Sequence, residues 1–280
     1  MKKFVVFSLL FVVLLLSGCT QKPPGGSTNG IIIESFGPVV SQLEPGDKTD
    51  IIAVLKNVGG IEATNINVEL YGLKDWGPQL VIEPPKNMMP GDSVRKIEPE
   101  TAEVVWVVTA PKYKTGIENQ EFEMRVYYTY STKALATIKV ASDKYIKSFP
   151  PSEQQAKIQD LGVKIDKPTD GPISVSISAP SKVIRDGSNT VRVTIDIQNV
   201  GSGNLDNYEL PVRISSPIAG VQCSTPAKVK LLQGKSKQIR CSLNVDLDKG
   251  WENIPIQVEL DNYKYWVSAT SSISVLPTED

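Results

Sequence analysis

Apolar residues recur at every second position along most of the chain, in short runs separated by turns. One unit, at residues 50–70, reads DIIAVLKNVGGIEATNINVEL, and a similar unit at 190–214 reads TVRVTIDIQNVGSGNLDNYELPVRI. In both, an alternating run ends in Asn-Val-Gly, and a second run follows a short polar connection. Period-two alternation is typical of a strand buried on one face, and glycine and asparagine tolerate the positive φ of a chain reversal. The repeat therefore predicts two similar β domains.

The first predicted domain covers residues 31–141. Its short apolar runs end at Pro-Gly-Asp, Pro-Pro and Ala-Pro turns, and none has a convincing helical period. The most apolar run is EVVWVVT, in which we expect Trp106 to fill the core between two sheets rather than to face a ligand. The last two runs, 122–130 and 134–140, predict a closing hairpin around residues 131–133. This pattern favours an antiparallel β-sandwich.

The second predicted domain covers residues 172–276, after a connector of residues 142–171. In the connector, Ser152 is a candidate cap for one short helix over residues 153–161. The second domain closes with two further runs, which predict a hairpin through residues 261–262. Because each repeat has its own apolar runs, we expect two bead-like sandwiches with separate cores.

The N-terminus has the anatomy of an export signal. Residues 1–19 contain two lysines, an apolar run over residues 4–16 and the sequence Leu-Ser-Gly-Cys ending at Cys19. The apolar run is short for a membrane span, which needs about 20 residues. The last four residues resemble the lipobox of prokaryotic lipoproteins, and this resemblance implies lipid attachment at Cys19. A plain signal peptide with an incidental cysteine is the alternative. Residues 20–30, TQKPPGGSTNG, predict a flexible tether.

Charge and composition narrow the classes of function. Lysine and arginine total 30 against 31 aspartate and glutamate, a net charge of -1, which provides no basic field for nucleic acid. The chain contains no histidine, so it lacks the commonest general base and transition-metal ligand. We therefore expect no enzyme activity, no cofactor and no nucleic-acid partner.

Two cysteines remain beyond the lipobox, Cys223 and Cys241. Cys241 is in phase with Ile239 and Leu243, so it is expected to point into the core. Export to an oxidising environment favours a disulfide between the two. A closed loop of this length contributes about 3 kcal/mol to stability. Two free buried cysteines or a metal site are the alternatives, although two cysteines without histidine make a poor zinc site.

Few other residues suggest a site. Asp246, Asp248 and Glu252 lie close together around a glycine, but they lack the spacing of an EF-hand loop and favour a solvated turn over a calcium site. We predict no metal site and no catalytic residues. Aromatic residues of the closing runs could instead face outward as a binding patch, or else fill the sandwich edge. The candidates for the patch are Tyr127, Trp251, Tyr263, Tyr265 and Trp266.

The order of turn, strand, Asn-Val-Gly turn and strand resembles the CARDB and related immunoglobulin-like domains of prokaryotic surface proteins. Residues 43–70 and 186–214 carry the resemblance, and the Pro-Gly-Asp turn at residues 90–92 and the strand of Trp106 extend it. The second unit departs from the pattern, because its first turn lacks Pro-Gly and it has cysteine where the first has tryptophan. The resemblance implies tandem immunoglobulin-like domains of an S-layer-associated surface lipoprotein and favours an archaeal one. It implies no catalytic residues.

The sequence thus predicts an all-β protein of two tandem immunoglobulin-like antiparallel β-sandwiches after a lipoprotein signal peptide. We expect it at the extracytoplasmic face of the cell membrane, in a structural, adhesive or protein-binding role. The expected partners are the membrane, through the lipid, and other cell-envelope proteins. A solute- or glycan-binding lipoprotein serving an envelope transporter or enzyme is the alternative, and it predicts a concave patch of outward aromatics. A hydrolase would need paired carboxylates across a cleft, and no spacing suggests them.

Overall fold

The computed structural model describes residues 30–112, 118–166, 168–185, 187–224 and 227–276. The predicted signal peptide, its Cys19 and all of the tether except Gly30 lie outside these residues. Strands account for 59% and helices for 8% of the structure, so the predicted all-β sandwich class is confirmed. None of the helices within the described ranges has the length and apolar character that a membrane crossing requires.

Two four-stranded antiparallel sheets form the outer layers, one in each half of the chain. The first contains, in spatial order, β1 (Ile31–Pro38), β3 (Lys48–Asn57), β6 (Thr101–Thr109) and β5 (Gln79–Ile82). The second contains β15 (Gly220–Cys223), β17 (Ser236–Asn244), β11 (Thr190–Asn199) and β9 (Ile173–Ser178). The repeat strands β3 and β11 are inner strands with alternating burial, and Trp106 on β6 is buried as predicted.

A central eight-stranded sheet serves both halves and is built around two long strands. These are β7 (Glu118–Ser142) and β18 (Trp251–Val275), which pair antiparallel along their length. Three short strands pair with β7, namely β4 (Thr64–Tyr71), β8 (Gly162–Ile165) and β10 (Val183–Ile184). Three pair with β18, namely β2 (Gln42–Leu43), β12 (Asn204–Leu205) and β14 (Arg213–Ser215). A separate ribbon consists of β13 (Glu209–Pro211) and β16 (Lys228–Lys230).

The two closing hairpins predicted from the sequence do not form. Residues 131–133 contain no glycine or asparagine of the kind that a tight hairpin turn requires, and β7 continues straight through them. At residues 261–262 the chain makes a bulge instead of a turn. Asn262 has a φ of 49°, the pairing register shifts at this point, and the Asn262 N–H donates to the Ser131 hydroxyl at 2.9 Å. A bulge absorbs extra residues while the strands remain paired.

Because neither hairpin closes, the two halves exchange strand segments. Residues 118–130 of β7 pair with residues 263–275 of β18, and residues 132–141 pair with residues 251–260. Each outer sheet therefore packs on a layer that contains one segment from each half of the chain.

Contacts across the layers are present in both halves. Phe36 of β1 meets Phe122 of β7 edge to face, with ring centroids 5.3 Å apart. The Thr132 hydroxyl of β7 donates to the Ile173 carbonyl of β9 at 3.1 Å. The buried apolar side chains of the two sandwiches form one contiguous cluster. The sandwiches thus share a sheet and a core, in place of the separate cores expected from the repeat, and the boundaries of two domains stay a prediction.

The connector contains two helices where one was predicted. The first, α1 (Asp143–Lys147), follows β7 directly and begins at Ser142, whose hydroxyl accepts from the Tyr145 N–H at 3.1 Å. The second, α2 (Pro151–Gln159), covers most of the predicted helix. It begins at a proline, whose fixed φ suits a first helical turn, and Ser152 is not its cap.

The predicted disulfide is confirmed. Cys223 on β15 and Cys241 on β17 lie directly opposite each other in the sheet, and their sulfur atoms are bonded at 2.06 Å. Cys241 is buried, as its phase along the strand predicted. The bond fastens the edge strand β15 to the inner strand β17.

Candidate functional site

The outer side of the central sheet, in the first half of the molecule, carries a cluster of aromatic and charged side chains. Alternation along β7 buries Met124 and Val126 and leaves Arg125 and Tyr127 on the outer side. The neighbouring strands β4 and β18 alternate in the same way. We call the resulting group the arginine–aromatic face, and it consists of Glu69, Tyr71, Glu123, Arg125, Tyr127 and Trp266.

Arg125 is the centre of this face. Its Nε and Nη2 donate to the two carboxylate oxygens of Glu123 at 3.0 and 2.9 Å. Its Cζ lies 4.9 Å from the ring centroid of Tyr71 and 4.9 Å from that of Trp266. Hydrogen bonds from Arg125 lower the pKa of Glu123, and those to Glu123 raise the pKa of Arg125. The guanidinium is therefore held charged and in one orientation between two aromatic rings.

The aromatic rings of the face are also held to one another. Tyr127 on β7 and Trp266 on β18 are cross-strand neighbours, with ring centroids 6.4 Å apart and planes tilted by 42°. The Tyr71 hydroxyl donates to Glu69 and lies 3.3 Å from the Tyr127 hydroxyl. The hydrogen bond to Glu69 raises the pKa of Tyr71, so its hydroxyl keeps its proton. Three strands thus present one ordered row of aromatic side chains.

An open recess of about 440 Å³ adjoins Tyr127. Its lining residues have polar or charged side chains and come from β4, β7, β18 and the turn after β12. The lining residues are Asn65, Asn67, Glu69, Tyr127, Tyr128, Thr129, Asp206 and Lys264. The volume is within the range of small-molecule sites, roughly 300–1,000 Å³.

The structure brings together two of the five predicted surface aromatics. Tyr127 and Trp266 form part of the face. Trp251 is exposed, but it is the first residue of β18 and lies away from the face, and Lys139 Nζ is 5.6 Å from its ring centroid. The expectation for Tyr263 and Tyr265 is wrong, because each is only 1% exposed. Both are in phase with Val267 on the inner side of β18, opposite to Trp266.

Sequence reasoning missed Arg125, Glu123 and Tyr71. The signal for the first two is the Glu-x-Arg-x-Tyr spacing along β7, which puts a carboxylate, a guanidinium and a ring on one side of a strand. Tyr71 comes from β4, and the pairing of β4 with β7 is a long-range contact. No local pattern reports which strand will lie beside β7.

Tyr265, one of the two buried tyrosines of the predicted patch, has a structural role together with Tyr130. The Tyr130 hydroxyl accepts from the Gly60 N–H at 3.0 Å and donates to the Asp170 carbonyl at 2.9 Å. The Tyr265 hydroxyl accepts from the Gly203 N–H at 3.0 Å and donates to Asn199 Oδ1 at 2.8 Å. Each long strand therefore fastens one of the two Asn-Val-Gly turns to the central sheet.

Stability is expected to fall as the pH rises above about 10, the pKa of tyrosine in an unfolded chain. Burial raises the pKa of Tyr265 to about 12, and it also raises the pKa of Tyr128, Tyr130 and Tyr263. Above the unfolded pKa the unfolded chain holds fewer protons than the folded one, so it is favoured. The stability that the protonated, buried tyrosines contribute is fully present below the pKa of tyrosine in the unfolded chain. It is lost as the pH rises through their raised pKa in the folded chain. Urea unfolding across this range measures the effect.

Two variants measure how much Tyr265 contributes to this loss of stability at alkaline pH. Tyr265→Phe is expected to flatten the decline of unfolding free energy with pH, and Tyr208→Phe, at a side chain 53% exposed, is expected to leave it unchanged. Equal slopes in the two variants would show that Tyr265 does not titrate differently in the folded and unfolded chains.

Two other regions of the surface, an acidic turn and a second recess, have fewer features of a site. In the acidic turn, Asp246 Oδ1 accepts from the Asp248 N–H at 3.0 Å, the pattern of an aspartate that caps its own turn. No group of three or more potential metal-ligating acidic or cysteine side chains occurs in the part of the chain that the structure describes. A second open recess, of about 680 Å³, is lined by Lys139, Lys164 and Lys182 together with Asp160 and Asp166. Lys139 is paired with Asp160, so this recess has little unbalanced charge.

Comparison with known proteins gives little guidance. No model of a known protein family matches the chain, and no curated protein matches it. A solved structure similar to it is a protein of unknown function from Porphyromonas gingivalis W83, at 11% identity over 77% of this chain and 84% of that chain, with a TM-score of 0.23.

Two further solved structures have different activities. The secreted serine protease VesC from Vibrio cholerae is 11% identical over 87% of this chain and 50% of that chain, with a TM-score of 0.23. This chain therefore spans half the length of the protease. The Enterococcus faecalis MSCRAMM ACE, which binds its ligands by the collagen hug model, is 8% identical over 88% and 95%, with a TM-score of 0.18. TM-scores this low do not indicate a shared fold or function.

Proposed function

We propose that this chain is a lipid-anchored protein of the extracytoplasmic cell surface that holds a partner through the arginine–aromatic face. The sequence Leu-Ser-Gly-Cys ending at Cys19 supports the anchor, and the composition of residues 20–30 supports a tether between the lipid and the first strand. The CARDB-like repeats fit a prokaryotic, S-layer-associated lipoprotein. The role is structural or adhesive, and the partners are other molecules of the cell envelope.

The observation that carries the proposal is the fixed arrangement around Arg125 on an accessible side of a sheet. Tryptophan, tyrosine and arginine are the residues that contribute most to binding at protein surfaces. Here the guanidinium is held by Glu123 and lies between the rings of Tyr71 and Trp266. Side chains that are already ordered lose little conformational entropy when a partner binds. The arginine–aromatic face is thus preorganised for binding a partner.

Binding suits this face better than catalysis. General acid–base chemistry needs a group that can exchange a proton near neutral pH. Glu123 instead forms a two-pronged salt bridge with Arg125, which lowers its pKa, and Glu69 accepts from the Tyr71 hydroxyl. Both carboxylates hold neighbouring side chains in position, and the chain has no histidine to take their place.

The test compares full-length chains displayed by cells that export them. A double variant, Arg125→Ala with Trp266→Ala, is expected to lower the capture of the cells' own solubilised envelope fraction by about tenfold or more, since loss of a principal binding residue costs at least about 2 kcal/mol. Trp251→Ala is the matched control, because Trp251 is an exposed tryptophan on the same strand but outside the face.

Capture by the Trp251→Ala chain is expected to equal that of the unmodified chain. The amount of folded protein at the surface is measured in parallel by resistance to protease. If the double variant is folded and captures the envelope fraction as well as the unmodified chain does, the arginine–aromatic face is not the binding surface.

A further inference from the structure

The recess beside Tyr127 differs in chemistry from the rest of the arginine–aromatic face. Tyr127 provides apolar ring surface, and the other lining residues supply amide, hydroxyl, carboxylate and ammonium groups. A site with an apolar wall and several convergent polar groups is typical of one that orients a small polar ligand. The ligand should therefore have one apolar side and a polar rim.

The backbone of β4 is irregular at this recess. The pairing register between β4 and β7 shifts between Thr64 and Asn67, and Asn65 has a φ of 53°. A bulge of this kind changes the direction of a side chain, and bulges are frequent beside functional sites. Here the bulge carries Asn65, one of the two amides that line the recess.

Within the described ranges of the chain, the amides of the recess make long hydrogen bonds. Asn65 Nδ2 lies 3.4 Å from Thr129 Oγ1, and Asn67 Nδ2 lies 3.5 Å from Glu69 Oε1. Bonds between nitrogen and oxygen are usually near 2.9–3.0 Å. An amide offers two donors and an acceptor, so both side chains can improve their hydrogen bonding by engaging the hydroxyl groups of a ligand.

The charges of the recess disfavour an acidic ligand. Its ionisable side chains are Glu69, Asp206 and Lys264, one cation against two carboxylates. The neighbouring Arg125 is already paired with Glu123, so it does not supply a free positive charge for a phosphate or sulfate. A neutral ligand rich in hydroxyl groups is therefore a better match than a phosphorylated or sulfated one.

From these observations we infer that the recess binds a neutral saccharide, stacked on Tyr127 and hydrogen-bonded through Asn65 and Asn67. A pyranose ring has an apolar C–H side for the tyrosine ring and a rim of hydroxyl groups for the amides and for Glu69. The recess is open, so it takes one or two units of a longer glycan. This inference rests on the proposed function, because it names the chemical class of the partner that the face holds.

The test uses full-length lipoprotein, purified in detergent, on an array of neutral hexose and N-acetylhexosamine oligosaccharides with phosphorylated and sulfated counterparts. The unmodified chain is expected to bind neutral oligosaccharides and not to bind the phosphorylated or sulfated ones. Tyr127→Ala and Asn67→Ala are each expected to weaken that binding by about tenfold or more. Tyr127→Phe keeps the ring and is expected to bind within about threefold of the unmodified chain, and Trp251→Ala is expected to bind normally.

The outcomes separate this inference from the proposed function. If the unmodified chain captures the envelope fraction through the arginine–aromatic face but binds no neutral saccharide, the inference is wrong and the proposed function stands. Preference for phosphorylated or sulfated glycans also overturns it. If the chain captures neither the envelope fraction nor any saccharide, both fail. Circular dichroism and thermal unfolding establish that each variant is folded before it is compared.

Discussion

Heat or denaturant is expected to unfold both halves of this chain in a single transition, although the repeated sequence predicts two domains. Ile195→Ala truncates a fully buried side chain on β11, in the second outer sheet. Such a truncation costs about 2–5 kcal/mol. Because β7 and β18 belong to both sandwiches, the loss should appear in the first half of the molecule as well as in the second.

The physical reason is the exchange of segments in the central sheet. If the second outer sheet unfolded alone, residues 132–141 and 251–260 would lose the layer that buries their inner side. These segments continue directly into residues 118–130 and 263–275, which form the central-sheet layer of the first sandwich. Exposing apolar surface costs about 25 cal/mol per Å², so an opening that spreads along the long strands is more costly than one confined to a separate domain.

Hydrogen exchange followed by mass spectrometry measures the two halves separately. Ile195→Ala is expected to reduce the protection of β3 and of β11 by the same factor, and calorimetry should show one peak. Val94→Ala is the control, since Val94 is 91% exposed, and it should change neither strand. Two calorimetric peaks, with protection of β3 unaffected by Ile195→Ala, would contradict a shared core.

Local pattern was enough to predict most of the strands, but not their partners. Alternation and turn chemistry predicted β3, β6, β11 and β17, and Cys241 pairs with Cys223 as its phase suggested. The pairing of the closing runs could not be predicted in this way. By alternation alone, residues 118–130 could pair with the next run of the same repeat, residues 134–140, or with the corresponding last run of the other repeat, residues 263–275. The absence of turn residues at 131–133 was the one local sign that the hairpin would stay open.

For the candidate site, too, the sequence predicts which side of a strand a residue faces but not which strands lie beside it. Tyr265 and Trp266 are adjacent in a strand, so only one of them can face outward, and alternation with Val267 and Ile273 assigns Tyr265 to the core. The neighbours that make Trp266 part of a face could not be predicted, because Arg125 and Tyr71 reach it only through the pairing of β18 with β7 and of β7 with β4. Register between distant strands is set by the whole fold.

A single methyl group at Gly203 is expected to destabilise the molecule by about 3 kcal/mol or more, the upper end of what overpacking costs. A Cβ at this position would lie 2.0 Å from the Trp266 carbonyl oxygen and 2.8 Å from the Tyr265 ring. The nearest atom belongs to the backbone of a long central strand, which cannot move aside without disturbing its pairing. The Gly203 N–H that donates to the Tyr265 hydroxyl would also be displaced, and a buried group left without its partner costs a further 1–3 kcal/mol or so.

Gly220→Ala is the matched control, because its Cβ would have no neighbour closer than 3.8 Å and its φ suits an ordinary residue. It is expected to leave the free energy of unfolding unchanged or to raise it by a few tenths to about 1 kcal/mol. Urea unfolding of the two variants measures the difference. Since Gly203 packs on the backbone of Trp266, a member of the arginine–aromatic face, Gly203→Ala should also weaken capture of the envelope fraction well below its unfolding temperature, whereas Gly220→Ala should not. Equal stability of the two variants would mean that the second Asn-Val-Gly turn is not held against β18, and the link between that turn and the arginine–aromatic face would be lost.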